Sequence, residues 1–404
     1  MLADAFARKT STLDIFREIY AGRQTATGRT VNVGTAIDVS TVFGCCRVIG
    51  EGVAQVPLKL MRESPDGKQR LSAKDHPLFD KLAFRPNRWQ TSFEYREMLV
   101  WHIVLTGNHF SYINRIGGRI IELFPFEPGA VKVLREDNGT LSYEVTAPDG
   151  SKRTFAAELI WHVRGPSLNG WYGLDAIKHA REAIGLAMAT EEAVGRLHKN
   201  GVRPSGTYSV EGSLTEKQHT DLRTWLDSHM MTGENGSKPL ILDRAAKWQS
   251  MQMTGIDAQT LEMRRFQIEE ICRFARVMPI MVGYSDKAAT YASAEQMFLA
   301  HVVHTLAPWY QRLEQSIDAW LLTDKERAAG LYSNFVEEGL LRGSLRDTKD
   351  TVLGYVNGGI LTPNEGRAKL DMNPDTDPAS DRLRIPANIV GETPAEPEPK
   401  PQGA

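Results

Sequence analysis

Cysteine is scarce in this chain of 404 residues: Cys45, Cys46 and Cys272 are all there are, and no two stand in a CxxC spacing. Adjacent cysteines seldom bridge each other, so a disulfide framework is excluded and a reduced cytosol is the simplest home. Long apolar runs are missing too, and none approaches the roughly 20 residues needed to span a bilayer. The opening stretch MLADAFARKTSTLDIFREIY lacks a continuous apolar core and a small-residue cleavage site, so it does not resemble a signal peptide. A soluble, non-secreted protein with no membrane partner is the expectation. No charge of one sign dominates. With 48 Lys and Arg against 50 Asp and Glu the formal net charge is −2, which argues against a broad basic face that grips nucleic acid. No GxxxxGK[ST] loop occurs, so the chain is not expected to hydrolyse ATP itself. There is no internal repeat, and low complexity is confined to the Pro- and Glu-rich end, GETPAEPEPKPQGA, expected to be disordered.

What is present is an ordinary globular balance, 41% hydrophobic and 24% charged, on a chain long enough for two or three packed units. Residues up to about Asp38 are polar, with one short amphipathic stretch from Leu13 to Tyr20, and predict a mobile arm. From Val39 to Leu60 the apolar positions Val42, Cys46, Ile49, Val53 and Val56 recur at helical spacing, and Pro57 stops the helix before a short strand. PLFDKLAFRPN predicts a short helix ended by Pro86-Asn87, and Ser92 to about Leu105 another, closed by Gly107-Asn108. Between His109 and Val163 the period switches to two, broken by Gly-Gly, Pro-Gly, Asn-Gly and Asp-Gly, the signature of antiparallel hairpins.

A long helix is expected from about Gly173 to Asn200, with Ile177, Ala180, Ile184, Met188 and Val194 near one stripe. A compact βαββ segment follows: PSGTYSV, a helix from Thr215 to about Met230, KPLILD and KWQSMQM. Asp257 to Arg276 predicts a further helix ended by Pro279. After the loop GYSDKAATYAS, the positions Phe298, Val302, Leu306, Trp309, Leu313, Ile317 and Trp320 have the spacing of a helix with one buried face. Pro308 within it predicts a kink near residues 304 to 308, and short helices are expected from Leu322 to about Met372. The fold class is α+β.

Residue types that could carry chemistry are each better explained without it. His301 and His304 lie three apart, but the Glu of an HExxH zinc motif is missing and two polar or interfacial histidines are expected. DMNPDTD offers Asp371, Asn373, Asp375 and Asp377 like the start of a calcium loop, yet Thr376 and Arg382 replace the required Gly and Glu, so a Pro-broken turn is expected. Ser285-Asp286-Lys287 has no SxxK spacing and no third partner. Trp89, Phe93 and Trp101 could stack on bases, but their near-helical spacing points to core. Arg264, Arg265, Arg273 and Arg276 form a dense basic surface whose simplest role is pairing with Glu262, Glu269 and Glu270, or with a neighbouring subunit. No enzyme activity, cofactor or metal is expected.

The order of these signals resembles the portal proteins of phages with the HK97-type head, from about Thr35 to Ile389. TAIDVSTVFGCCRVIGEGVAQVPLKL looks like the family's opening helix, and DHPLFDKLAFRPNRWQTSFEYREMLVWHIVLTGNHFSYI like its most recognisable stretch. LIWHVRGPSLNGWYGLDAIKHAREAIGLA, NGVRPSGTYSV, RRFQIEEICRFARVMPIMVG, ATYASAEQ, TLAPWYQRLEQSIDAWLL and GILTPNEGRAKLDMNPDTDPASDRLRIPANIV are similar to successive later segments. One departure is Arg276-Val277-Met278-Pro279, where the family generally has a Gly-Val-Pro-Pro-like turn.

The resemblance implies a homo-oligomeric ring, usually dodecameric, at one capsid vertex of the virion, assembled in the host cytoplasm. It implies a wing (1–172, with the arm to about 38), stem helices (173–200 and 257–277) and a clip between them (201–256). A channel loop and kinked helix (278–322), a crown (323–390) and a tail (391–404) complete it. The implied partners are double-stranded DNA in the channel, the terminase large subunit at the clip, the major capsid protein or scaffold, and head-completion or adaptor proteins. Near-neutral charge suits a passive conduit, because each retained phosphate contact would be a sticking point. A ring multiplies each side chain into a circle, so Lys287 becomes a ring of positive charge that Asp286 partly cancels. The expected DNA-facing residues are Tyr284, Ser285, Asp286, Lys287, Thr290, Tyr291 and Ser293, and the expected stem network is Arg264, Arg265, Glu269, Glu270, Arg273 and Arg276. The other readings are a shell or adaptor protein of a phage and a metal-dependent hydrolase.

Overall fold

The computed structural model describes residues 22–64, 70–199, 207–209, 215–217, 219–221, 224, 247–249, 254–284, 291–336, 345–370 and 372–384. The chain divides into two units, Met1–Phe335 and Val336–Ala404. Every strand pairing is antiparallel, and the strands fall into small sheets beside long helices, an α+β arrangement.

The first unit opens with a hairpin of β1 (Arg23–Gln24) and β2 (Thr30–Val31) and a short helix α1 (Val33–Ile37). Asn32 and Thr35 cap α1 reciprocally, each side chain accepting from the other's backbone N–H at 2.8 and 3.0 Å. The part of the expected arm that is described, residues 22–38, is therefore ordered. Ala26 N–H donates to Glu182, Thr27 donates to the Gly185 carbonyl, and Arg29 pairs with Glu192. Polarity alone suggested mobility; long-range hydrogen bonds decide otherwise. The stretch Leu13 to Tyr20 lies outside the described residues.

Helix α2 (Ser40–Ala54) buries the expected stripe, with Val42, Cys46, Ile49, Val53 and Val56 all at most 2% exposed. It leads into β3 (Leu58–Glu63), which pairs with β4 (Arg70–Ser72). Helix α3 (Pro77–Ala83) starts on Pro77, and helix α4 (Ser92–Thr106) starts on a Thr91–Glu94 capping box. The Asn87 side chain fastens the loop between them, accepting from the N–H of Gln90 and donating to its side chain and to the Leu123 carbonyl. Arg96 lies buried beneath α4 and donates to the carbonyls of Ser92, Val56 and Ala54, tying down the end of α2. The expected core positions nearby are corrected in part: Trp89 is 54% and Phe93 40% exposed, while Trp101 is half-buried against Gly50. The buried face of α4 runs instead through Tyr95, Arg96, Leu99, Val100 and Ile103.

Gly107 ends α4 at φ +76, as its position predicted. It also meets Gly173 so closely that a Cβ on Gly173 would lie 1.9 Å from the Gly107 carbonyl oxygen. Strands β5 (Asn108–Ile116), β6 (Arg119–Pro125), β7 (Val131–Arg135), β8 (Leu141–Thr146), β9 (Lys152–Ala156) and β10 (Ile160–Arg164) form two three-stranded sheets, ordered β10-β5-β6 and β7-β8-β9. Phe110, Phe126, Val131, Val133, Tyr143, Val145, Phe155 and Ile160 pack between them. The Asn108 side chain joins this body to the next helix, accepting from Gly173 N–H at 2.7 Å and donating to the Gly173 carbonyl at 3.1 Å.

Helix α5 (Ala176–Lys199) buries Ile177, Ala180 and Ile184, but Met188 and Val194 are only half-buried. Of the expected βαββ segment, β11 (Thr207–Ser209) and β12 (Lys247–Gln249) are described and pair antiparallel; KPLILD lies outside the described residues. Helix α6 (Thr254–Ala275) runs against α5, where Gln267 donates to Thr190 at 3.0 Å.

Helix α7 (Tyr291–His301) continues through a π-turn (Val302–Leu306) into α8 (Ala307–Trp320). The wide turn sits just before Pro308, where the missing backbone donor predicted a break in the ladder. It also shifts the buried face. Val302, Leu306, Leu313 and Ile317 are buried as expected, but Phe298 is 45% and Trp320 39% exposed, and Tyr310 fills the core, donating to the Gly52 carbonyl. After α9 (Asp324–Ala328), the expectation of helices alone fails at β13 (Leu331–Phe335), which pairs with β3 across the chain. Carboxylates of α8 hold it: Asp318 and Glu314 accept from the backbone of Ser333 and Phe335 at 2.7 and 2.6 Å.

The second unit contains α10 (Leu345–Asn357) and α11 (Pro363–Lys369), packed through Val352, Val356 and Gly366. Asn364 donates to the Asp375 carbonyl and to Asp381, so the DMNPDTD region is a side-chain-fastened turn; Asp371 lies outside the described residues.

Candidate functional site

The segment singled out by the sequence lies between α6 and α7. Helix α6 ends on Arg276, the one non-glycine residue with positive φ (+56) among the described residues. The left-handed region suits Gly at that position of a helix end, and Arg276 stands where the sequence resemblance implies a Gly-containing turn. Val277 N–H then returns to the Cys272 carbonyl, and a short 3-10 turn, Pro279–Val282, closes with Tyr284 N–H on the Pro279 carbonyl.

Both flanks of the segment are fastened to the first unit. Upstream, Val282 packs at Gly44 and Cys272 meets Cys45, both on α2. Downstream, Thr305 of the π-turn donates to the Arg276 carbonyl at 2.8 Å, and Leu306 packs on Gly52. Of the expected DNA-facing residues, Tyr284 is half-buried at the upstream flank and Tyr291 and Ser293 lie in the first turn of α7. Ser285, Asp286, Lys287 and Thr290 lie outside the described residues.

The expected charge network is on α6. Arg273 pairs with Glu270 one turn earlier and stands over the Phe266 ring at 6.0 Å. Arg264, Arg265 and Arg276 are exposed, and Glu269 is half-buried beside Cys272. Apolar side chains share these exposed surfaces: Met263 and Phe266 on α6, Met297, Phe298 and Leu299 on α7, and Val303 in the π-turn are 40–58% exposed. Six large apolar side chains on three consecutive elements are thus left in contact with water.

A polar cluster that the sequence reasoning missed lies inside the sheet body. His102 and His109 face each other Nδ1 to Nδ1 at 3.0 Å, His109 Nε2 meets Ser111 at 2.9 Å, and Tyr95 meets Ser111 at 2.6 Å. His162 bridges Asn108 at 3.0 Å and Tyr143 at 3.2 Å. Burial pushes His102 down to about 4 and His162 to about 3, and holds His109 well below its ordinary range. All three are therefore neutral at pH 7. Ser111 and His109 have the spacing of a hydrolytic dyad, but both are fully buried, and the second nitrogen of His109 meets another histidine instead of a carboxylate. The cluster is a satisfied polar core. Its sequence signal was slight: His109 and His162 each stand inside a strand, where the ladder sets them opposite Val163 and Phe110.

His301 is buried, with Nδ1 lacking a protein partner, whereas His304 is exposed, so the two do not converge on one ion. Among the described residues no group of three His, Cys, Asp or Glu could hold a metal. No helix among them is long and apolar enough to cross a membrane.

The fold is an α+β arrangement of small antiparallel sheets beside paired long helices, and comparison with known proteins makes the assignment specific. The family model described as phage portal protein matches residues 40–371. The portal protein of Enterobacteria phage HK97 is 27% identical over 348 residues, covering 85% of this chain and 81% of its own. The probable portal protein of Streptomyces phage phiC31 is 27% identical over 390 residues, covering 94% and 84%. Among solved structures, a chain in the neck of a native gene transfer agent particle with C12 symmetry matches at TM-score 0.60 and 22% identity, covering 93% of this chain and 98% of that one. This chain belongs to the phage portal protein family. Its function is that of a portal in a phage or gene-transfer-agent particle.

Proposed function

We propose that copies of this chain stand side by side in a twelve-membered ring at one vertex of the particle, and that double-stranded DNA passes through the bore during packaging and ejection. The observation that carries this reading is the exposed apolar face of α6, α7 and the π-turn, which flanks the Tyr284–Ser293 segment on both sides. A monomer leaves that face in water; a neighbour in a ring covers it. The twelve-fold symmetry of the similar gene transfer agent neck supports the copy number.

In this reading Tyr284, Ser285, Asp286, Lys287, Thr290, Tyr291 and Ser293 form the channel loop and its flanks. Residues 1–172 form the wing, 173–200 and 257–277 the stem, 201–256 the clip that meets the terminase large subunit and later the adaptor proteins, and 278–322 the channel loop and kinked helix. Residues 323–390 form the crown, and the rim of the ring meets the capsid protein or scaffold. The chain performs no chemistry of its own; packaging energy comes from the terminase. The stem network of Arg264, Arg265, Glu269, Glu270, Arg273 and Arg276 pairs along α6, as Arg273 does with Glu270, or with the neighbouring copy.

Negative-stain images of the purified full chain test the ring. Rings with a central hole are expected; a monodisperse monomer or a holeless particle overturns it. Crosslinking from Tyr284 or Lys287 to DNA in packaging-arrested particles tests the loop, and labelling elsewhere alone counts against it.

A further inference from the structure

Cys45 on α2 and Cys272 in the last turns of α6 bring their sulfurs to 4.0 Å although 227 residues separate them in the chain. Both are 1% exposed. Two sulfurs at this distance need about 2 Å of closure to reach the roughly 2.05 Å of a disulfide bond. The two thiols are not equivalent. Cys45 donates its S–H to Cys272, and that bond together with burial pushes Cys45 well above its ordinary range. The same bond holds Cys272 below its own. Cys46, the next residue on α2, is pushed up to about 12 by burial. Thiolate character therefore concentrates on Cys272, with a second thiol in contact and a third sealed off.

We propose that Cys45 and Cys272 are a paired oxidation site, in which a hydroperoxide converts the two thiols into a disulfide that joins α2 to the end of α6. Cys272 gives up its proton and attacks one peroxide oxygen; the O–O bond breaks, and the departing hydroxide takes that proton and leaves as water. Cys45 then attacks the sulfur of the resulting sulfenic acid; the S–O bond breaks, and the departing hydroxide takes the Cys45 proton as a second water. Two protein thiols are oxidised, and one hydrogen peroxide is reduced to two waters. A hydroperoxide is small enough to reach the pair through local opening of the α6 end, where a bulky disulfide oxidant is excluded. The disulfide fixes the upstream flank of the Tyr284–Ser293 segment to α2, independently of whether copies stand in a ring.

The test is hydrogen peroxide treatment of the full chain, alkylation of the remaining thiols under denaturing conditions, and intact-mass and peptide analysis. The expected product has lost two hydrogens, carries one alkyl group on Cys46, shows a linked Cys45–Cys272 peptide, and reverts with a phosphine. Its melting temperature rises by several degrees, since a long loop is closed. Cys45→Ala is expected to trap oxygen adducts on Cys272 with no link, and Cys46→Ala to leave the link unchanged. A link through Cys46, a link between copies, oxygen adducts without loss of hydrogen in the unsubstituted chain, or three thiols still open to alkylation would each overturn the proposal.

Discussion

The sheet body and the paired long helices are finished to different degrees. In the sheet body buried polar side chains are used to fasten the fold itself: Asn108 serves His162 and both backbone groups of Gly173, and Arg96 serves three carbonyls. On α6 and α7 large apolar side chains stand in water beside a row of arginines. The first region spends its side chains on its own fold; the second leaves them outside it, where the proposed ring would cover them. A residue's effect on stability should therefore fall on passing from the body to the helices, while its effect on assembly should rise.

Among single substitutions, the largest loss of stability is expected from Gly173→Ala. The added carbon would collide with the Gly107 backbone, which cannot yield without breaking the Asn108 bonds. A loss of roughly 4 kcal/mol of unfolding free energy, read from the shift in denaturant midpoint, is expected; a loss as small as a surface change would break the contrast. Next is acid. Because His102, His109 and His162 are held below the ordinary 6.5, the unfolded chain binds protons that the folded chain refuses. Stability is full above about pH 6.5 and falls as pH drops towards 4, by about 1 kcal/mol per pH unit for each histidine. Melting curves at successive pH values measure the slope, and the pair His102→Gln with His109→Gln should flatten it.

A smaller effect of opposite sign is expected from Arg276→Gly, which removes the left-handed strain at the end of α6 and should stabilise by about 1 kcal/mol. No change in melting would mean that the Arg276 side chain itself offsets the strain. Least of all should Phe266→Ser or Phe298→Ser alter the folded monomer, within roughly 0.5 kcal/mol. Yet each should reduce rings in sedimentation and images. Intact rings in both variants would remove the distinction between the two regions.

Much of the fold was legible because its signals are local. The α2 stripe, the Gly107 helix end, the hairpin glycines and the break before Pro308 each follow from a few neighbouring residues. The errors share a cause. The arm at residues 22–38 looked mobile because its anchors, Glu182 and Glu192, lie far along the chain. Strand β13 went unseen because LYSNF gains strand character from β3 and from Asp318 and Glu314. Trp89 and Phe93 looked like core because periodicity marks a face without saying what covers it. Phe298 was assigned to the buried face because the π-turn adds a residue that a constant 3.6 period omits.

The sequence by itself determined most element types and their order, β13 excepted, together with the helix ends and the absence of a phosphate loop or zinc motif, since these depend on backbone propensity and residue chemistry at short range. Only the tertiary structure decided which apolar faces are left uncovered, that three histidines sit neutral inside the body, and that Cys45 and Cys272 touch. Those facts depend on which distant segments meet. Contact between residues hundreds of positions apart is fixed by packing and leaves no periodic trace in the chain.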